Sequence, residues 1–318
     1  MNACVWLWPF SVVYRFIISI RLLLYRIGVF KTCYFPVPTI IVGNITIGGT
    51  GKTPLVIYLA RLFKQHGYRP GLVSRGYKGT ASQYPIWVRH TSDPAIVGDE
   101  PLLLYRHTAC PTVVDPKRTR AVATLLAETD CNVILSDDGL QHYALGRSLE
   151  IAVVDGQNRF GNQLYLPAGP LREPIRRLKT VDFIVVNGAA QLGEWAMQLN
   201  INTFYSLVHP HHQVLPTAFR GKKLHAVAGI GNPQRFFQAL RQLGLDIITH
   251  PFPDHYAFQA RDFDYGADAI ILLTEKDAVK CTNFADERFW CTATTTQLAI
   301  GFDQQILARV LHLQRLSE

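Results

Sequence analysis

The chain has 318 residues, of which 48% are apolar and 18% charged. That balance excludes a disordered or low-complexity chain and leaves room for more than one core. Lysine and arginine outnumber aspartate and glutamate by 32 to 24, which favours anionic partners: nucleic acid, a phosphorylated substrate or an acidic membrane face.

The first predicted element lies in CVWLWPFSVVYRFIISIRLLLYRIGVFK, Cys4 to Lys31. Its longest charge-free run is about a dozen residues, short of the roughly 20 that a spanning helix needs. Its arginines come too late for a secretory signal, and no cleavage site follows. On a helix, Ser11, Arg15, Ser19 and Arg26 share one stripe, Arg21 falls off it, and most of the remaining circumference is apolar. This predicts a membrane-interface helix within residues 1–35, with arginines near lipid phosphates and Trp6, Trp8, Tyr14 and Tyr25 at headgroup depth. The competing reading is a greasy helix buried against the rest of the protein.

After Pro38, TIIVGN reads as a strand and TPLVIYLARLFKQHG as a helix, with Leu55, Tyr58, Leu59, Leu62 and Phe63 on one face and Gly67 as its stop. Further strand candidates are PGLVSRG, PIWVRH, PTVVD, NVILSDD, EIAVVD and DFIVVN, with RTRAVATLLAETD as an intervening helix. Apolar strands alternating with helices predict an α/β fold, a mostly parallel sheet covered on both faces. Past Gly188 the pattern loosens. KLHAVAGIGNPQRFFQALRQLG then restarts a strand–loop–helix unit, followed by a strand in DAIILLTEKD. The expected organisation is a P-loop NTPase-like domain over 36–212 and a smaller α/β domain over 213–318.

The loop VGNITIGGTGKTPL carries the first chemical signal. The strict phosphate-loop pattern opens on a glycine, and that position holds Thr46. The mechanics nevertheless fit: a strand precedes the loop, a helix follows it, and Gly48, Gly49 and Gly51, with Thr50 between them, let backbone N–H groups approach phosphate oxygens. Lys52 would reach the β/γ-phosphates and the Thr53 hydroxyl would ligate Mg²⁺. Pro54 falls in the first helical turn, where its missing N–H matters little. In NVILSDDGLQH, Asp137 and Asp138 stand at a strand exit, where either would hold a metal directly or through water. His142 would orient Asp138; the plainer alternative is an N-cap aspartate and a satisfied histidine.

In VGDEP, Asp99 and Glu100 read by themselves as a helix start, although a transferase also needs a base near its acceptor hydroxyl. VVDPKRTRAV, with Arg118, reads as an ordinary charged helix start. The group His209, His211 and His212 reads as a polar linker rather than a metal site. Six cysteines (Cys4, Cys33, Cys110, Cys131, Cys281, Cys291) form no CxxC pair and are expected to be reduced and mostly buried.

Together VGNITIGGTGKTP, SRGYKG, VGDEP, DDGLQH, LPAGPLREP, FPDHYAF and TEKDAVK resemble the tetraacyldisaccharide 4′-kinase family of Gram-negative bacteria, over Val42 to Lys280. Thr46 in place of the first loop glycine is typical of that family. The resemblance implies ATP- and Mg²⁺-dependent phosphorylation of the 4′-hydroxyl of a tetraacylated glucosamine disaccharide 1-phosphate in lipid A biosynthesis. It implies Asp99 as the catalytic aspartate with His255 as its partner, and Glu100 and Asp138 joining Thr53 around the magnesium. Arg75 and Tyr77 would lie near the substrate and triphosphate, and Arg172 near anionic groups. A four-chain lipid substrate implies peripheral attachment to the cytoplasmic face of the inner membrane, with an anionic surface as partner. The active site is expected in the cleft between the two domains. No nucleic-acid motif accompanies the basic balance, and no obligate protein partner is evident. The rival class is a membrane-associated P-loop ATPase switch of the partition or insertion type. Its extra loop lysine would stand where this chain has Ile47.

Overall fold

In the computed structural model, residues 5–315 are described; Cys4 lies outside the described residues. The chain begins with α1 (Trp8–Arg26) and continues through β1 (Thr39–Gly43), α2 (Lys52–Gln65), β2 (Pro70–Ser74), β3 (Ile86–Trp87), α3 (Pro94–Val97) and α4 (Asp99–Thr108). Next come β4 (Thr112–Val114), α5 (Arg118–Glu128), β5 (Val133–Asp137), β6 (Leu149–Asp155), β7 (Phe183–Asn187), β8 (Trp195–Ser206) and β9 (Gln213–Val214). The last part comprises β10 (Leu224–Ala228), α6 (Pro233–Gln242), β11 (Ile247–Pro251), β12 (Ile270–Leu273), α7 (Glu275–Cys281), β13 (Phe289–Leu298) and α8 (Phe302–Arg315).

These strands form one continuous sheet in the order β11-β10-β12-β13-β8-β7-β6-β1-β5-β2-β4-β3, with β9 beside β8. Its centre is parallel: β1 lies between β5 and β6, and β2 between β5 and β4. Every residue of β1, β2, β5 and β6 is buried, as expected for strands covered by helices on both faces. β10, β11, β12 and β13 form a second parallel group. The two groups meet at the antiparallel pair β8–β13, whose register shifts at Ala293/Thr294.

Two findings depart from the expected organisation. The loosened region after Gly188 contains the long strand β8, whose sequence WAMQLNINTFYS is too polar and irregular to announce itself. The expected boundary at 213 is crossed by the continuous sheet, and α8 returns to the first half, where Phe302, Ile306 and Val310 join the core cluster containing Ile40, Leu55 and Phe63. Phe302 packs edge-on against Phe183 and Trp195. Separate apolar clusters cover the two faces of the second strand group.

The N-terminal helix forms, but its orientation differs from the expected one. Ser11 is buried; its hydroxyl donates to the Tyr165 carbonyl (2.6 Å) and accepts from the Ala168 N–H (3.1 Å). The Tyr14 hydroxyl donates to the Arg172 carbonyl, and Tyr25 packs on Tyr143. Tyr14 and Tyr25 therefore face protein rather than lipid headgroups, and Ser11 leaves the polar stripe. Between these contacts the other flank is bare: Trp8, Phe10, Val13, Phe16, Ile17, Ile20 and Leu23 are exposed. By length and composition alone the helix could cross a membrane.

Of the cysteines, Cys110, Cys131, Cys281 and Cys291 are buried free thiols and Cys33 is exposed.

Candidate active site

The glycine loop sits between β1 and α2 because the chain must turn from a buried strand into a helix within a few residues. Gly51 closes that turn in the left-handed region (φ 98°), and a β-carbon there would lie 2.7 Å from the Asn187 amide nitrogen and 2.9 Å from Met197. Only glycine meets both conditions. At Gly48 and Gly49 a β-carbon would meet nothing within 4 Å, so this side of the loop stands open. Thr50 is tied inward, its hydroxyl accepting from Asn44 and its carbonyl from Asn187. Thr46 explains the missing first glycine. It makes an antiparallel bridge with Leu171, flanked by Ile47 N–H to the Pro170 carbonyl and Arg172 N–H to the Ile45 carbonyl. The position takes extended backbone, which needs no glycine, and it fastens LPAGPLREP to the loop.

At the start of α2, Lys52 lies 3.6 Å from Asp138, and the Thr53 hydroxyl donates to Asp137 at 3.4 Å. Asp138 adopts a left-handed backbone (φ 48°) just past β5. Both its carboxylate oxygens accept from Arg172, at 3.0 and 3.1 Å. Burial opposes ionisation of Asp138, but Lys52, Arg172 and Arg118 outweigh it and hold its pKa at about 2. Its neighbour Asp137 is pushed the opposite way, first by burial and then by Glu100, and its Oδ1 has no hydrogen-bond partner. Adjacent carboxylates are thus split into a paired anion and a proton-avid, unpaired one.

His142 does not orient Asp138. No hydrogen bond joins them; the aspartate is held by Arg172 and Lys52, while the histidine Nε2 is buried without a partner. Burial and then Arg118, Arg147, Arg21 and Arg75 push its pKa down to about 4.

Asp99 is the first residue of α4 and is buried. His255, held at φ 60° after β11, places Nδ1 3.0 and 3.1 Å from the two Asp99 oxygens. Burial works to raise Asp99, yet His255, Lys276 and Lys280 overcome it and keep its carboxyl below the usual carboxylate range. Tyr77 meets the His255 ring edge-on at 5.1 Å. Glu100 accepts from Lys276 at 2.9 Å. Arg75 is exposed, and its charge acts on Arg118 and His142. The halves also approach at two further points: Lys78 donates to the Asp254 carbonyl, and a β-carbon on Gly231 would lie 2.9 Å from the Gly49 nitrogen.

A family model described as tetraacyldisaccharide-1-P 4′-kinase matches residues 3–312. The chain belongs to the tetraacyldisaccharide 4′-kinase family. It is 53% identical to the tetraacyldisaccharide 4′-kinase of Nitrosococcus oceani over 300 residues, covering 94% of this chain and 88% of that one. It is 50% identical to a Coxiella burnetii relative of the same name, covering 89% and 84%. Among solved structures it resembles LpxK from Aquifex aeolicus, described as being in complex with ATP, with a TM-score of 0.82 and 28% identity over 96% of this chain and 98% of that one.

In this tetraacyldisaccharide 4′-kinase family member, several site residues escaped sequence reading. Arg118, taken for a surface helix start, is buried and donates to the Asp137 carbonyl at 3.2 Å. Asn187 and Asn44 brace the loop, and Lys276 and Lys280 converge on the Asp99–Glu100 pair. TEKDAVK carried a usable signal, two lysines four apart at a strand exit, but no chemistry in the sequence assigned them a partner. His209 pairs with Glu287 and His212 packs on Trp290; among the described residues no group of three or more His, Cys, Asp or Glu is arranged to hold a metal.

Proposed function

We propose that this chain transfers the γ-phosphate of ATP to the 4′-hydroxyl of a tetraacylated glucosamine disaccharide 1-phosphate, a lipid A precursor, at the cytoplasmic surface of the inner membrane. The observation that carries this reading is the pairing of two groups: a glycine loop whose Lys52 lies beside Asp138, and a buried aspartate bonded to a histidine. Asp137 joins them electrically, acted on both by Lys52 and by Glu100, the neighbour of Asp99.

A sugar hydroxyl is a poor nucleophile, and its proton must leave as the O–P bond forms. Asp99 is the base: it takes that proton as the hydroxyl oxygen bonds to the γ-phosphorus and the bond to the β–γ bridging oxygen breaks, leaving ADP. The ionised state of Asp99 and its bond to His255 support this role. Lys52 and Arg172 counter the charge on the transferring group. Thr53 and Asp137 would hold Mg²⁺ together with phosphate oxygens and water, and Asp138 and Glu100, bound here to Arg172 and Lys276, would join them on releasing those partners. The unpaired Asp137 Oδ1 beside a threonine hydroxyl suits a hard cation that otherwise takes phosphate oxygens and water. When bound, the ion would neutralise the triphosphate. Arg75 and Tyr77 would contact the substrate and the triphosphate. Residues 213–298 approach the loop through Gly231 and the SRGYKG segment through Asp254, and closure there would exclude water from the triphosphate.

The exposed apolar flank of α1 supports peripheral attachment. Its opposite edge is hydrogen-bonded to the segment 165–172, so lipid meets it from one side only.

The test supplies ATP, Mg²⁺ and the acylated disaccharide 1-phosphate and looks for a second phosphate on the lipid. Asp99→Ala is expected to lower turnover by roughly 10²–10⁴ while ATP still binds; near-normal turnover removes Asp99 from the role of base.

A further inference from the structure

Arg172 is held from three directions. Its guanidinium bonds both oxygens of Asp138, its N–H donates to the Ile45 carbonyl (2.8 Å), and its carbonyl accepts from the Tyr14 hydroxyl (3.3 Å). The third hold comes from α1, the helix whose other flank is bare. Ser11, one turn before Tyr14, adds two more bonds: its hydroxyl donates to the Tyr165 carbonyl and accepts from the Ala168 N–H. The Arg15 guanidinium lies over the Tyr165 ring, 5.7 Å from its centre. Attachment to lipid calls for an apolar flank and needs none of these contacts.

The segment that receives them is closed on itself. Leu166 N–H donates to the Leu171 carbonyl, Leu171 N–H to the Leu164 carbonyl and Gly169 N–H to the Tyr165 carbonyl. The Asn162 amide donates to the Ala168 carbonyl (2.9 Å), and a β-carbon at Gly169 would collide with Asn162 and the Leu164 carbonyl. A segment packed this closely passes a displacement on rather than absorbing it. Its far side is fastened to the glycine loop by the Thr46–Leu171 bridge and by Ile47 N–H to the Pro170 carbonyl (2.8 Å). A shift of the docked edge of α1 therefore moves residues 45–47 and Arg172 together.

We propose that Ser11 and Tyr14 are positioning residues for phosphoryl transfer: through segment 165–172, α1 sets the glycine loop and Arg172 in place as well as attaching the protein to lipid. The bare flank serves the bilayer and the docked flank serves the triphosphate. Both residues act on backbone groups, the carbonyls of Tyr165 and Arg172 and the N–H of Ala168, so their effect reaches the reacting atoms only through the loop and Arg172.

This inference rests on the glycine loop as the triphosphate site, and the experiment separates it from the choice of acceptor. In full-length protein, Ser11→Ala with Tyr14→Phe removes the three hydrogen bonds and leaves charge and the bare flank untouched. Affinity for a non-hydrolysable ATP analogue with Mg²⁺, measured by calorimetry without lipid, is expected to fall roughly tenfold, and kcat in detergent micelles saturated with the acylated disaccharide roughly ten- to a hundredfold. Binding to anionic vesicles is expected to stay at the wild-type level. Phe16→Ser with Ile20→Ser is expected to do the reverse, losing vesicle binding and keeping affinity for the analogue. Tyr14→Phe by itself removes one hydroxyl from a half-buried ring and is expected to lower kcat roughly threefold. Wild-type kcat in Tyr14→Phe, or wild-type analogue affinity in the Ser11 and Tyr14 double variant, overturns the proposal. So does a loss of turnover that only tracks a loss of vesicle binding. A wild-type protein that binds the analogue but does not phosphorylate the lipid would instead sink the proposed function, and the affinity comparison would still decide the role of α1.

Discussion

The helix α1 offers a quantitative test because its two flanks do different things. Phe16 and Ile20 lie on the bare flank with 65% and 40% of their surface exposed, whereas Ser11 is buried in a pair of hydrogen bonds. Fully burying a phenylalanine or isoleucine contributes about 2 kcal/mol. Scaled by the exposed fractions, lipid burial of this pair contributes about 2 kcal/mol, or roughly thirtyfold in partition coefficient. Phe16→Ser with Ile20→Ser should therefore lower binding to anionic phospholipid vesicles by that factor in a sedimentation assay. Thermal stability should stay unchanged, because neither side chain contributes to a core. Ser11→Val should behave in the opposite way. It strips the Ala168 N–H of its acceptor and should weaken the docking of α1 on segment 165–172 by about 1–3 kcal/mol. Equal vesicle binding by the double serine variant and the wild type would refute the assignment of the bare flank to lipid. Salt should reduce binding of both proteins alike, since neither substitution alters charge.

Gly231→Ala would place a methyl group 2.9 Å from the Gly49 nitrogen. Overpacking of about 1–3 kcal/mol at that approach should raise KM for ATP roughly tenfold, and an unchanged KM would show that the loop does not close there. His107 is depressed from 6.5 to about 4, first by burial and then by Arg61 and Arg106. The stability it contributes is present above pH 6.5 and lost as pH falls towards 4, about 3 kcal/mol in all. His107→Gln should flatten the fall in urea midpoint over that window, and a slope equal to that of wild type would contradict the assignment. Phe302→Ala should cost about 3–5 kcal/mol, since the ring is fully buried against Phe183 and Trp195. A loss under about 1 kcal/mol in denaturant titration would mean that α8 is not part of that core.

What the sequence determined by itself is what neighbouring residues decide. The central strands were readable because burial on both faces demands unbroken apolar runs, as in TIIVG and LEIAVVD. The phosphate loop was readable because its glycines, Lys52 and Thr53 act within one turn of chain. Tertiary structure decided the rest. Asp99 and His255 are 156 residues apart, and Lys276 and Glu100 are 176 apart; the strand order, not any local spacing, brings them within hydrogen-bonding distance. The first of these pairs was reached only through family resemblance. β8 went unseen because its pairing with β13 is secured by backbone ladder bonds among threonines, asparagines and glutamines, which leave no apolar period. Arg118 looked like a solvated charge until the β4–α5 turn carried it beneath the exit of β5. Helical periodicity located the polar positions of α1, but periodicity has no absolute phase. Only contact with segment 165–172 fixed which edge meets protein and which is left for lipid.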